Sequence, residues 1–357
     1  MSLMIDWITF KTPFFISGVL NGGKIINTNE HGEIEYTIDK RFSVCGSYDS
    51  RLSLKTADVD LDGNTILLSV SGNPVKWFQG HNVFGSSDLH ALVCATVFSL
   101  SEVLDCPQPE IYRRYVLDGR YSLSRVDINA QFDFSTREDV LSYLNTLGKT
   151  SSTRHGKAIF KGSTVYFGKG SKRWSFKFYS KGQEFLIHKS DVNFAFDTLN
   201  FLKDYSDTKL RAELTLSQKE LKKLTLEIGK SWVVARDPIE LYMAYIDKIQ
   251  VADMIMSDDL TKTLPKRLRS TYTLWNAGND LRELVSRATF YAHKKELLEF
   301  GVDISIPKFE KSEQPTAKIL PFRRMIKGQL AVLPPEILNN PELFFNPNEF
   351  LKRFSNK

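Results

Sequence analysis

Four short segments carry residue types that could act on a phosphodiester. In RWSFKFYSKGQ a period of two puts Tyr179 on one strand face with Lys177 and Lys181, and turns Phe176, Phe178 and Ser180 to the other. A phenol between two ammonium groups is a nucleophile set beside charges that bind phosphate. A basic surface strand holding one more of the thirteen tyrosines would give the same pattern. SRVDI and LRAEL each put a carboxylate beside an arginine on one face: Asp127 with Arg125, and Glu213 with Arg211. Carboxylates from two neighbouring strands make a hard oxygen site suited to Mg²⁺ or Mn²⁺, and two intrasheet salt bridges are the alternative. The fourth segment, QGHNVFG, packs two glycines around His81 and Asn82 just before a helix. His81 could serve there as a third metal ligand, a phosphate donor or a loop-structuring side chain.

The elements around these residues point to a polyanion. Between Lys149 and Lys189 lie ten Lys and Arg residues, with Glu184 the one acid among them. Lys and Arg contacts to phosphates are the usual source of nucleic-acid affinity. The whole chain has 357 residues, a net charge of +6 and a pI near 9.0, so the excess is modest and its concentration is the informative part. Apolar residues at 42% and charged residues at 25% are those of an ordinary globular protein. Three cysteines without a CxxC spacing exclude a zinc ribbon or disulfide scaffold and fit a reducing compartment. Asp6 and Lys11 interrupt the apolar N-terminus, which excludes a signal peptide or membrane span and predicts a cytoplasmic protein without membrane partners. No Walker motif or GxSxG elbow is present.

Chain length exceeds one usual core, so two domains are expected. Residues 4–75 alternate polar with apolar and are punctuated by Asn-Gly, His-Gly and Asp-Gly, as strands joined by turns. SSDLHALVCATVFSLSEVL reads as a helix, YSLSRVDINAQFDF as a strand, and STREDVLSYLNTL as a helix capped by Ser135. The expected architecture is α+β, an antiparallel-rich central sheet flanked by helices over residues 1–230. A smaller helical domain over 231–305 and a Pro-punctuated C-terminal arm over 306–357 complete it.

At KWFQGHNVFGSSDLHALVCATVF, YSLSRVDINAQF, KLRAELTL and FKFYSKGQE the sequence resembles the replication initiators of filamentous bacteriophages, the gene II protein family. LPKRLRSTYTLWNAGNDLRELVSRATFYAHKKELLEFGVDI is similar to the C-terminal region of its gene II and gene X-type proteins. The resemblance implies a Rep-nuclease-like fold and a site-specific, metal-dependent DNA nicking and strand-transfer enzyme of rolling-circle replication. Tyr179 would attack one phosphodiester of the phage origin, leaving a 5′-phosphotyrosine and a 3′-OH that primes a host polymerase, and the displaced strand would later be rejoined. Lys181 and Lys177 would steady the phenolate. Asp127 and Glu213 would hold Mg²⁺ or Mn²⁺, and His81 could complete the shell. Arg154, Lys169, Lys172 and Arg173 would clamp the DNA backbone, and Gln79, Asn82, Arg125, Lys177 and Arg211 are expected DNA contacts too. Implied partners are origin DNA, host helicase and polymerase, and a second copy on DNA. A shorter product starting at Met256 is a further expectation. The competing class is a non-catalytic DNA-binding regulator of replication, which would have no need of the Tyr179, Asp127 and Glu213 set.

Overall fold

The computed structural model describes residues 3–46, 50–153, 156–161, 164–187, 194–233, 238–251, 264–299, 302, 304–305 and 330–355. Arg154 and Met256 lie outside these residues.

A nine-stranded sheet organises the chain. Its outer strands on one side are β10 (Ile159–Lys161) and β11 (Thr164–Phe167), followed inward by β12 (Trp174–Ser180), β13 (Lys209–Ser217) and β7 (Ser122–Asp133). The 14-residue β1 (Leu3–Ile16) is next, then β6 (Thr65–Gly72), β5 (Arg51–Val59) and β4 (Phe42–Cys45). Every neighbouring pair is antiparallel. The expected α+β class and antiparallel-rich sheet are therefore present. A separate ribbon pairs β2 (Lys24–Thr28) with β3 (Ile34–Asp39).

Strict alternation makes the two sheet faces chemically different. Phe176 and Phe178 of β12, Ala212, Leu214 and Leu216 of β13, and Val126, Ile128 and Ala130 of β7 are all buried in the main core. Helix α4 (Arg137–Thr150) adds Val140, Leu144 and Leu147 to that core, and α2 (Leu89–Val103) adds Leu92, Val93 and Val97. The cap of α4 is Thr136, whose hydroxyl accepts from the Asp139 amide at 3.1 Å, rather than Ser135.

The helix Pro238–Ile246 belongs to the sheet's core: Tyr242 donates to the Ala212 carbonyl at 2.8 Å and stacks edge-on against Phe176. This helix, which follows the expected limit at 230, adds Leu241, Tyr245 and Ile246 to the main core as well. Helices Lys266–Asn276, Leu281–Leu284 and Arg287–Glu299 enclose a second, small core of Leu264, Leu268, Leu281, Phe290, Leu297, Val302 and Ile304. Residues 330–355 of the expected arm pack against the rest of the chain. Phe345 stacks on Phe78 at 3.9 Å and 8°, Phe354 packs on Phe98, and Ile337 and Leu343 share a core with Val83 and Phe84. Proline punctuation predicted the irregular backbone there, while the phenylalanines supply the apolar surface that docks it. Among the described residues no helix is long and apolar enough to cross a membrane.

Candidate active site on the polar sheet face

The face opposite the core carries most of the candidate residues. Pairing of β12, β13 and β7 sets Lys177 opposite Glu213 and Glu213 opposite Asn129, with Tyr179 opposite Arg211 and Arg211 opposite Gln131. Tyr179 and Lys177 share this face as expected, with the ammonium 5.4 Å from the ring centroid. Lys181 does not share the strand: β12 ends at Ser180 and Lys181 opens the helix α5 (Lys181–Ile187). It reaches the site by another route, donating to Asn82 Oδ1 at 2.7 Å and to Glu184 Oε2 at 2.5 Å.

The two expected carboxylates come together, each held by a cation. Arg125 grips Asp127 with two hydrogen bonds of 2.9 and 2.5 Å. Glu213 pairs across the strands with Lys177 at 2.7 Å and not with Arg211. The salt-bridge alternative is thus realised in this state, with one partner different from the one its spacing suggested. Burial and the negative charges of Asp6 and Asp127 push Glu213 up to about 8, against the pull of Lys177. Burial likewise raises Asp127 despite Arg125.

Asp6 is a member of this group that the sequence reading used only to exclude a signal peptide. A bulge in β1 between Ile5 and Ile8 sets Asp6 and Trp7 against the one residue Asp127 of β7 and turns Asp6 toward the polar face. Its carboxylate accepts from the Asn73 and Asn82 side-chain amides, the latter at 3.0 Å. An acid inside the apolar run MIDWITF was the available signal. Asn129 and Gln131, in period with Asp127 on β7, were legible in the same way.

Several buried polar atoms on this face have no hydrogen-bond partner among the described residues: Glu213 Oε2, both amide atoms of Asn129, Gln131 Oε1, and Nε and Nη1 of Arg211. Buried polar atoms are seldom left so, and a cluster of them marks where water, an ion or substrate belongs. The donors Asp127, Glu213 and Asn129 Oδ1 are all hard oxygens, which fits Mg²⁺ or Mn²⁺. Among the described residues no group of three His, Cys, Asp or Glu side chains is arranged to hold a metal ion. The protein would then supply part of a coordination shell, as is usual for Mg²⁺ bound with substrate phosphates.

Tyr179 differs from its expected electrostatics. Only 8% of it is exposed, and burial pushes its phenol well above the ordinary value, with Arg211 the cation that opposes this. The phenol is therefore protonated at neutral pH. Among the described residues nothing hydrogen-bonds its hydroxyl.

Three other expected site residues serve the QGHNVFG loop instead. His81 is buried, and its Nδ1 accepts from the Val83 amide at 3.3 Å. Burial, then the charge of Lys181, push it down to about 3, and Arg211 is a second cation beside it. The Nδ1 contact to the Val83 amide is a loop-structuring one, while Nε2 is buried without a hydrogen-bond partner among the described residues. Gln79 donates to the His81 and Phe84 carbonyls at 3.1 and 2.8 Å and accepts from the Phe345 amide at 2.7 Å, so its amide is spent inside the protein. Arg211 is fully buried and donates to the Asn82 and Val83 carbonyls at 2.5 and 3.1 Å. Both side chains are thus turned into the protein, with Nε and Nη1 of Arg211 unpartnered among the described residues.

Lys169, Lys172 and Arg173 are exposed at the β11–β12 turn, with Lys169 over the Tyr166 ring at 4.7 Å and Arg173 paired with Glu220 at 3.3 Å. Six residues of strand place that turn about 20 Å from Tyr179. The solvent-facing cations beside the carboxylates are Arg125 and Lys177, whose side chains are 43% and 37% exposed.

The family pattern for the N-terminal part of the phage replication-associated gene II protein matches residues 4–235, and the pattern for its C-terminal part matches residues 256–342. The replication-associated protein of the same type from Enterobacteria phage I2-2 is 34% identical over 347 residues, covering 97% of this chain and 98% of that protein. A solved rolling circle replication initiator protein from Geobacillus stearothermophilus aligns with 14% identity and a TM-score of 0.34, covering 74% of this chain and 92% of that one. The two family regions and the near full-length relative show that this chain belongs to the family of phage replication-associated gene II proteins.

Proposed function

We propose that the protein initiates rolling-circle replication of a phage genome by nicking one DNA strand at the origin through Tyr179. The observation that carries this reading is one polar sheet face holding a tyrosine, two ion-paired carboxylates and the cations Lys177 and Arg125. The Tyr179 oxygen bonds to phosphorus, the bond from phosphorus to the 3′ oxygen breaks, and that oxygen leaves as a 3′-OH. Because the phenol is held neutral, its proton must leave as the bond forms; Glu213, Glu184 and Asp6 are the carboxylates whose charge it feels. Arg125 and Lys177 pair with Asp127 and Glu213 until a phosphate arrives, then turn to its oxygens. Asp127 and Glu213 would hold Mg²⁺ or Mn²⁺, which when bound would neutralise charge on the scissile phosphate. Lys181, fixed by Asn82 and Glu184 and brought down to about 8 by burial and Arg211, adds positive charge at the strand end. The same phosphotyrosine conserves the bond energy for rejoining the displaced strand.

The test is supercoiled phage replicative-form DNA with Mg²⁺ and either the parent protein or Tyr179→Phe. Parent protein should yield open circles and, after nuclease digestion, labelled protein on a denaturing gel, and Tyr179→Phe should yield neither. Nicking by Tyr179→Phe would remove the tyrosine from its role. Salt-sensitive DNA binding without cleavage by either protein would leave a replication regulator.

A further inference from the structure

The sheet continues past the candidate site as an open face on β7, β1, β6 and β5. The residues on this face are the exposed Trp7 and Lys11 on β1, the buried Ser69 and half-buried Ser71 on β6, and the exposed Arg51 and Lys55 on β5. Lys11 and Lys55 flank Ser69 in register. Lys11, Arg51 and Lys55 are exposed, and none has an ion pair among the described residues. The carboxylates that bound this patch on the same face are Asp6 and Asp127 at one end and Asp58, past a bulge in β5, at the other.

Trp7 is out of place for a structural residue. It sits on the bulge of a central strand, yet 36% of it is exposed. Its ring is fixed: Nε1 donates to Ser71 Oγ at 3.2 Å, and the Arg125 guanidinium lies 5.3 Å from the ring centroid. The same Arg125 holds Asp127, so the patch is continuous with the candidate site. Strand β1 is three strands from β12, about 14 Å across the sheet.

We propose that this open face is a binding track for a single DNA strand flanking the scissile phosphate, with Trp7 stacking on an unpaired base and Lys11, Arg51 and Lys55 following the phosphates. Charge complementarity and continuity with Arg125 choose nucleic acid. A fixed aromatic ring on a flat face chooses an unpaired strand, since duplex bases are already stacked on one another. The track rests on the nuclease reading for its place beside Tyr179, but binding to it does not require cleavage.

The experiment measures fluorescence anisotropy of labelled (dT)20 with full-length Tyr179→Phe protein in EDTA, so that nicking plays no part. Added Lys11→Gln, Arg51→Gln and Lys55→Gln should weaken binding at least tenfold and lower the slope of log affinity against log salt by about 2. Trp7→Ala should weaken it about tenfold, Trp7→Phe less than threefold, and (dT)20 should quench indole emission in Tyr179→Phe protein but much less once Trp7→Phe is added. All four side chains are exposed, so melting temperatures should stay close to the parent. Unchanged affinity and salt slope in the triple variant would overturn the track. So would losses seen with a duplex 20-mer and not with (dT)20. Failure of the nicking assay with intact (dT)20 results would sink the tyrosine reading alone.

Discussion

Lys177 and Glu213 face each other across β12 and β13, with the ammonium 2.7 Å from a carboxyl group that burial and two neighbouring acids push up to about 8 in spite of it. Replacing Lys177 removes both the counter-charge and a cation for the phosphate. Lys177→Gln should slow single-turnover nicking by about two to three orders of magnitude. Stability should fall little, since the carboxyl can take up a proton instead; thermal melting beside the nicking rate separates the two effects.

Glu213 and Asp127 repel each other and Asp6, and a divalent cation bound between them would relieve that repulsion. Millimolar Mg²⁺ should raise the melting temperature of the parent protein at pH 8 and leave that of Asp127→Asn, Glu213→Gln unmoved. An equal rise in both proteins would place the cation elsewhere.

Arg211 ties β13 to the QGHNVFG loop through two carbonyls. Arg211→Met should cost about 3 kcal/mol of stability, because it strands those acceptors in the interior. The salt slope of DNA binding should not change. A changed slope with unchanged stability would return Arg211 to the DNA contacts.

His81 is held at about 3, whereas an unfolded histidine titrates near 6.5. The unfolded chain binds the proton and the folded one does not, so this contribution is complete above about pH 6.5 and is lost as pH falls toward 3. From pH 7 to pH 4 the parent should lose more stability than His81→Gln, by on the order of 2–3 kcal/mol. Denaturant melts across that range decide it; parallel profiles would mean that His81 is not buried neutral.

The stack of Phe345 on Phe78 clips the C-terminal segment beside the loop. Phe345→Ala should lower stability by about 2 kcal/mol. Limited proteolysis should then cut the segment sooner, whereas an unchanged cleavage rate would show that Phe354 and Ile337 dock it unaided.

The local periodicity of the chain determined a good part of this. Extended backbone turns alternate side chains to opposite faces whatever surrounds it, so Lys177 with Tyr179, Arg125 with Asp127, and Arg211 with Glu213 could be assigned to common faces from spacing alone. What each then meets depends on neighbours distant in the chain. Glu213 meets Lys177 because β12 lies beside β13, while Arg211, two residues away on the same face, is covered by the loop at Asn82 and Val83. Asp6 reaches the site only because β1 bulges, and Lys181 leaves the strand because β12 ends one residue before it. Gln79 finds the Phe345 amide 266 residues along the chain. The serines and lysines of β1, β6 and β5 were visible as alternation, but that Trp7 and Lys11 stay exposed among the described residues is a property of packing. Strand spacing is local, and burial is not; the sequence named the face of each residue, and the tertiary structure decided which faces are filled by protein and which stay exposed.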